Sequence, residues 1–315
     1  MAGGIGMSAL ISAVEDYLAL RRSLGFKLYR IDQLLLDFVA ELEARGLETV
    51  TTEAALAWAT KPAGADPYWH GKRLGYARRF AVYLNALDPH CEVPPRGLLA
   101  EHSQRATPHL YTEQEVGALM ERARELSPPL RGASYETLIG LLAVTGMRPG
   151  ETLRLQRSDV DLKAGVLRVN KSKSVSRELP LHHSAVQALA SYSELRNELY
   201  PRPADGAFFV SAAGTAIAHK TLNDTFAKLR RSAGLQAPPG PGRASPRLCD
   251  FRHSFAVRCL LGWYRCGTDV AAQLPRLSTY LGHSHPADTY WYLTATPELL
   301  ALAARRLENS QEARP

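Results

Sequence analysis

Two arginines stand at positions from which a folded chain can present them to an anion. Arg148 follows Thr145 and Gly146 at a turn between two predicted helices, where backbone N–H groups also point outward. Arg252 stands at the start of a predicted amphipathic helix. A guanidinium forms a fork that fits two oxygens of a phosphate, whereas an ammonium acts as a point charge. Taken singly, each arginine is also typical of a solvated surface. The two arginines therefore indicate a site only in combination with further segments of the chain.

Two further segments carry groups that transfer protons or attack electrophiles. Residues 169–181 have the pattern of a β-hairpin with Lys171 and Lys173 near its tip. Residues 280–292 contain His283 and end in an aromatic run that includes Tyr290 and Tyr292. Alone, the first segment is typical of a soluble turn and the second of core packing. The four segments together, in their order along the chain, favour a catalytic site.

In this order and spacing, the segments resemble the tyrosine recombinase (phage integrase) family across residues 109–310. That family has an arginine in Thr-Gly-x-Arg, a hairpin lysine, His-x-x-Arg, and Leu-Gly-His with a tyrosine nine residues beyond the histidine. The residues that match this pattern are Arg148, Lys173, Arg252, His283 and Tyr292. The nine-residue offset from His283 selects Tyr292 over Tyr290. Residues 289–300 are similar to relatives carried on transposons and other mobile elements.

The resemblance implies a site-specific recombinase that breaks and rejoins DNA for integration, excision or transposition. Tyr292 would be joined to the 3′ phosphate while a 5′ hydroxyl departs, with the hairpin lysine as general acid. Arg148 and Arg252 would stabilise the charge of the transition state. The phosphotyrosine conserves the bond energy, so we expect no cofactor, neither ATP nor magnesium. The family also implies a homo-tetramer on synapsed double-stranded DNA, with sister recombinases as further partners.

The chain departs from the family pattern at one position and is ambiguous at another. Cys249 stands three residues before Arg252, where the family usually has histidine. A thiol does not shuttle protons near neutral pH as an imidazole does. We therefore expect His283 to be the more important hydrogen-bond donor to the phosphate. The hairpin has two lysines, and its length leaves open which of them is equivalent to the family's general acid; we favour Lys173 as the acid and Lys171 as a DNA contact.

Charge and composition divide the 315 residues into two predicted domains. Up to Thr107, 12 basic residues balance 12 acidic ones, so the remainder carries the whole net charge of +7 and the electrostatic attraction to phosphates. The proline-rich stretch before Pro108 is typical of a linker. We therefore predict a helical core-binding domain in residues 1–100, a linker in 101–108 and a catalytic domain in 109–315. The resemblance of the first domain to the family is much weaker. Its predicted DNA-binding residues, on a basic helix, are Lys72, Arg73 and Arg79, and a solvated helix face would have the same pattern.

Hydrophobic periodicity predicts a mainly α fold with a small antiparallel sheet, an α+β class. In the first domain, helices are predicted at residues 8–24, 31–43, 52–59 and 72–87. In the second, a capping box at Thr112 starts a helix, and further helices are predicted near 135–144, 220–233, 252–263 and 297–307. Strands are predicted at 166–169, 178–181 and 207–210.

Other function classes have little support in the sequence. It lacks a Gly-x-Gly-x-x-Gly fingerprint, a phosphate-binding loop and a metal-ligand spacing around its histidines. Four cysteines without a Cys-x-x-Cys pair, no signal peptide and no apolar run of membrane length favour a cytoplasmic, nucleoid-associated protein. Two alternatives share the site: an enzyme like a type IB topoisomerase, and a catalytically impaired accessory protein in which Cys249 reflects decay.

Overall fold

The computed structural model describes residues 7–100, 107–170, 176–201, 206–236, 245–294 and 297–312. The chain divides into two compact units, Met1–Arg105 and Ala106–Pro315. Within the described residues, the structure is mainly helical with one three-stranded antiparallel sheet, so the predicted α+β class is confirmed. No described helix combines the length and apolar character needed to cross a bilayer.

The first unit is built from helices in its described part. Their bounds are α1 Met7–Ser23, α2 Ile31–Ala44, α3 Thr52–Thr60 and α4 Pro67–Asn85. Phe38, Trp58 and Phe80 fill the core between them. Helix α4 begins five residues earlier than predicted, because Asp66 caps it by accepting from the Tyr68 amide at 2.7 Å and Pro67 fits its first turn.

The second unit combines helices with the sheet. Its helices are α5 Glu113–Arg124, α6 Pro129–Thr145, α7 Pro149–Leu153, α8 His183–Leu199, α9 His219–Ser232, α10 Asp250–Arg265, α11 Val270–Leu281, α12 Ala287–Tyr290 and α13 Pro297–Glu312. The capping box at Thr112 is confirmed, with the Glu115 carboxylate accepting from the Thr112 amide at 2.8 Å. A 3-10 turn, Trp291–Thr294, follows α12.

The sheet has the order β1 (Val160–Asp161), β2 (Val166–Val169) and β3 (Arg177–Pro180). Leu167 pairs with Leu179, and both are fully buried. Their neighbours Arg168 and Glu178 pair on the exposed face, as the alternation of a half-buried sheet requires. One face of the sheet therefore packs on the core formed around α6.

The predicted strand at residues 207–210 is wrong. Its ends form only isolated bridges, from Ala207 to Gln156 and from Val210 to Ala216. Side chains satisfy much of its buried backbone instead: the Val210 amide donates to the Tyr192 hydroxyl at 3.0 Å, and its carbonyl accepts from Ser134 at 2.9 Å. A short apolar run in the sequence is typical of a buried strand, but an irregular buried segment has the same run when other groups satisfy its backbone.

A second core lies under α10, α11 and the 3-10 turn. Leu260, Leu281, Tyr292 and Leu299 are all buried in it. Leu299 belongs to α13, and Glu298 beside it accepts from Arg265 of α10 at 2.6 Å. The first turn of α13 is therefore docked within its own unit.

Candidate active site

Arg148 lies at the turn between α6 and α7. Helix α6 ends at Gly146, whose φ of 61° is left-handed and whose missing Cβ would collide with the ring of Phe255. Helix α7 then starts after Arg148, and Glu151 accepts from both the Arg148 amide at 3.0 Å and its Nη1 at 2.9 Å. The glycine and the carboxylate together fix the arginine, whose side chain is 34% exposed.

Arg252 is buried at the start of α10. Its Nη1 donates to the carbonyl of Gly146 at 3.1 Å, and its Nη2 to the carbonyl of Leu281 at 2.6 Å. Burial, followed by repulsion from Arg148, lowers its pKa to about 10, while Tyr292 beside it acts in the opposite direction. The guanidinium therefore stays charged at neutral pH and links the Arg148 turn to the end of α11.

The end of α11 collects three guanidinium groups. The carbonyls of Tyr280, Leu281 and Gly282 accept, in that order, from Arg177 at 2.7 Å, Arg252 at 2.6 Å and Arg148 at 3.5 Å. The carbonyl end of a helix carries partial negative charge, so it holds these cations together despite their mutual repulsion. Three positive charges are therefore grouped around residues 280–282, immediately before His283 in the chain.

His283 is half-buried beside this cluster. Its Nδ1 lies 2.8 Å from the Thr289 hydroxyl. Burial and the positive charges of Arg252 and Arg148 lower its pKa to about 4, so the ring is neutral at pH 7. A neutral ring that accepts the Thr289 proton at Nδ1 carries its own proton on Nε2, the tautomer that can donate to a phosphate.

Tyr292 lies in the 3-10 turn after α12 and is only 4% exposed. Its ring centroid is 6.0 Å from that of His283 and 5.3 Å from that of His253. Tyr290 is instead 54% exposed. The structure thus brings Arg148, Arg252, His283 and Tyr292 together.

Cys249 directly precedes α10 without capping it through its side chain, and the residue as a whole is exposed although its sulfur is partly desolvated. Its sulfur lies 3.6 Å from Oδ1 of Asp250, a buried carboxylate that also binds Arg247. Desolvation of the sulfur and the charge of Asp250 raise the pKa of the Cys249 thiol, so it remains protonated at neutral pH. A thiol in this state supplies no positive charge to a phosphate.

The predicted hairpin lysines, Lys171 and Lys173, lie outside the described residues. In the first unit, Lys72 and Arg79 are exposed on α4, where they lie over the rings of Tyr68 and Tyr76 at 4.7 and 4.8 Å. They line a groove of about 410 Å³ together with Arg78 and Arg96. This groove is basic and partly aromatic.

The position of Arg73 in the structure does not fit its predicted role as a DNA contact. It is buried, with its guanidinium 3.8 Å from the ring centroid of Trp58 and its Nη2 donating to the Trp58 carbonyl at 3.0 Å. It also contacts Asp37 at 3.3 Å. Because Arg73 is turned into the helical core, we leave it out of the DNA surface proposed below.

The sequence reasoning missed four residues of the site: Glu151, Arg177, His253 and Thr289. Glu151 had a usable signal, since it follows Arg148 by three residues, the spacing of a capping carboxylate. Arg177 has no such signal, because its partners lie 26 and 103 residues away. Only the folded chain brings it to the site.

Comparisons with known proteins agree on one family. The model of the phage integrase family matches residues 110–298. The chain is 42% identical over 315 residues to y4rB of Sinorhizobium fredii, named as an integrase/recombinase, covering 98% of this chain and all of that protein.

Solved structures agree in fold. The XerH site-specific recombinase bound to palindromic difH substrate has a TM-score of 0.67 at 20% identity, covering 96% of this chain and 85% of that chain. The Tn1549 transposon integrase in complex with transposon right end DNA has a TM-score of 0.64 at 17% identity, covering 94% of this chain and 99% of that one. At these identities the likeness concerns the fold.

Proposed function

Because the chain belongs to the phage integrase family, we propose that it cuts and rejoins double-stranded DNA with Tyr292 as the nucleophile. The observation that carries this proposal is the convergence of Arg148, Arg252 and His283 around a buried tyrosine. A phosphodiester resists attack because its oxygens are negative and its leaving alkoxide is basic. Two fixed guanidiniums counter the first difficulty, and a general acid counters the second.

The proposed step exchanges one phosphodiester for another. The Tyr292 hydroxyl gives up its proton to solvent as its oxygen attacks the phosphorus, the bond to the 5′ oxygen breaks, and the 3′ phosphate remains on the tyrosine. A lysine of the hairpin, Lys173 by the family pattern, donates a proton to the departing 5′ oxygen. The 5′ hydroxyl of a second strand then attacks the phosphotyrosine and releases Tyr292. The number of phosphoester bonds is unchanged, so rejoining requires no external energy source.

Strand exchange tests this function against its two alternatives. Two duplexes with different labels and the same target site are mixed with the protein, and a nicked suicide substrate is assayed in parallel. A recombinase yields both a covalent adduct and joined strands of mixed label. If the protein also relaxes a supercoiled plasmid carrying the site and forms an adduct but no mixed product, the topoisomerase-like alternative is supported, whereas binding with no adduct supports an accessory protein.

The biological setting is part of the proposal. Similarity to an integrase/recombinase along the full length of both chains supports integration, excision or transposition of a mobile element in the cytoplasm. We further propose assembly as a tetramer on paired sites, with sister recombinases as further partners. Leu300, 53% exposed on α13, is a side chain that a neighbouring protomer could cover.

We predict that Cys249→His accelerates cleavage by at least about tenfold, since a positioned acid–base group contributes roughly 10²–10⁴ where it acts. An imidazole shuttles protons near neutral pH, and the thiol at this position stays protonated. The measurement is the rate of adduct formation on a suicide substrate. Cys266→His, at the other end of α10 and also exposed, is the matched control. Equal rates in all three proteins would show that position 249 is outside the proton path.

The groove on α4 is the proposed DNA surface of the first unit. Replacing both Lys72 and Arg79 by Gln should weaken DNA binding and reduce the slope of log K against log salt by roughly 2, one phosphate contact for each cation. Lys61→Gln is the control, because Lys61 is exposed on the same unit but already paired with Glu41. Weaker binding with an unchanged salt slope would contradict direct contact with phosphates.

A further inference from the structure

Arg177 is an arginine with a largely buried side chain that is held by hydrogen bonds within the second unit. Its side chain is 8% exposed. Nε donates to the Tyr280 carbonyl at 2.7 Å, while Nη1 and Nη2 donate to the two oxygens of Glu151 at 3.3 and 2.8 Å. All three nitrogens are thus engaged, in the two-pronged geometry that makes an arginine–carboxylate pair strong and directional. Such a group is suited to positioning other residues rather than to binding DNA.

Glu151 connects this arginine to the site. Its side chain is 2% exposed, and the same carboxylate that binds Arg177 also accepts from the amide and the Nη1 of Arg148. Burial alone would raise its pKa, but hydrogen bonds and charge from Arg177 and Arg148 lower it to about 2. A buried carboxylate that lost one of these arginines would be under-compensated, and its position would change.

Arg177 also supports the turn that leads to His283. Gly282 has a φ of +68°, and a Cβ there would lie 2.7 Å from Nη1 of Arg177. The backbone therefore packs directly on the guanidinium, which only glycine permits. Arg177 touches the site on two sides: through Glu151 toward Arg148, and through the turn at residues 280–282 toward His283.

We propose that Arg177 is a positioning residue for DNA cleavage, which holds Arg148 and the turn before His283 in register with each other. This inference rests on the proposed function. Strand β3 supplies the residue, α7 supplies Glu151, and α11 supplies the carbonyl, so one side chain ties three elements together. Arg177 acts on the transition state through Arg148 and not through a contact of its own with the phosphate.

An ion pair between β2 and β3, the strand that carries Arg177, provides a matched control. Arg168 on β2 donates to Glu178 on β3 at 3.2 Å, but the two side chains are 53% and 66% exposed. It is an exposed arginine–carboxylate pair in the same sheet, and its ion pair is with Glu178 rather than with Glu151 or the turn at residues 280–282. Arg168→Met removes a comparable ion pair and side-chain length from the solvent face.

The experiment compares wild type, Arg177→Met, Arg177→Lys and Arg168→Met on two suicide substrates. One has an ordinary scissile phosphate, and the other has a methylphosphonate, whose non-bridging oxygen carries no negative charge. Thermal unfolding and DNA affinity are measured for each protein. Because about 1 Å of misplacement costs on the order of 10²-fold in rate, Arg177→Met should cleave the phosphate roughly 10²-fold more slowly, with DNA affinity within about threefold.

The two substrates separate positioning from general damage. The deficit of Arg177→Met should shrink by at least about tenfold on the methylphosphonate, because the misplaced arginine then has less charge to stabilise. Arg177→Lys should be intermediate, since an ammonium keeps the charge but cannot span Glu151 and Tyr280. Arg168→Met should match wild type on both. If Arg177→Met does not fold, the same substrate dependence in Arg177→Lys decides the question.

Equal deficits on both substrates, or a deficit shared by Arg168→Met, would overturn the inference. So would a cleavage loss that is explained by weaker DNA binding. If wild type itself forms no adduct with either substrate, the proposed function fails instead. The two failures are therefore distinguishable within one data set.

Discussion

Tyr292→Phe should abolish covalent attachment to DNA, lowering adduct formation by on the order of 10⁴-fold or more, as expected for loss of a nucleophile. The substitution removes only the hydroxyl. The ring is 4% exposed and packed beside His283 and His253, so phenylalanine keeps that packing. DNA affinity should therefore stay within about threefold of wild type, because the arginines that face the phosphate are untouched. The assay is a nicked suicide substrate resolved on a denaturing gel.

Tyr290→Phe is the matched control for this prediction. Tyr290 precedes Tyr292 by two residues but is 54% exposed, at the end of α12. Its variant should form adduct at the wild-type rate. If Tyr290→Phe lost the adduct and Tyr292→Phe kept it, the assignment of the nucleophile would be wrong.

Arg252→Lys should reduce cleavage by roughly 10²–10³-fold although it keeps the positive charge, similar to the loss of a donor that stabilises a developing oxyanion. Arg252 spans the carbonyls of Gly146 and Leu281, which lie on different segments. One ammonium cannot satisfy both and also meet a phosphate. A buried carbonyl left without a donor costs about 1–3 kcal/mol, so the variant should also unfold at a lower temperature.

Arg258→Lys separates the catalytic loss from the structural one. Arg258 is on the same helix and donates to the Ala143 carbonyl at 2.6 Å, away from the end of α11. It should cost some stability and leave the cleavage rate within about threefold. A cleavage loss in Arg252→Lys no larger than that in Arg258→Lys would show that position 252 only supports the fold.

The sequence was most informative where chemistry depends on local spacing. The nine-residue spacing from His283 selects Tyr292 over Tyr290, and in the structure Tyr292 is buried whereas Tyr290 is exposed. Local signals also predicted β2 at its observed residues and the capping box at Thr112. Each of these features is set by residues within about ten positions of one another, so a single sequence contains the necessary information.

Helix prediction was weaker where breaker residues occur within or near an element. Helix α11 contains Pro275 and has no sequence prediction, because proline ordinarily ends a helix. Arg73 looked like part of a basic helix face, yet its position on α4 points it into the core against Trp58. A charge pattern alone does not distinguish a solvated arginine from one stacked on a buried aromatic ring.

Long-range contacts were out of reach. The role of Arg177 depends on meeting both Glu151 and the end of α11, which no local pattern encodes. The same holds for the collection of three guanidiniums on consecutive carbonyls. Spacing in the sequence was enough to propose the candidate site residues, whereas the contacts that hold them together depend on the fold.

Peptide mapping of the trapped adduct locates the proposed 3′-phosphotyrosine on one residue of the chain. Wild-type protein is reacted with a suicide substrate that carries a label on the 3′ side of the cut, digested with protease, and analysed by mass spectrometry. We expect one nucleotide-bearing peptide, modified at Tyr292 through a 3′ phosphate, and a free 5′ hydroxyl on the released strand. Attachment at another residue, attachment through a 5′ phosphate, or no adduct at all would contradict it.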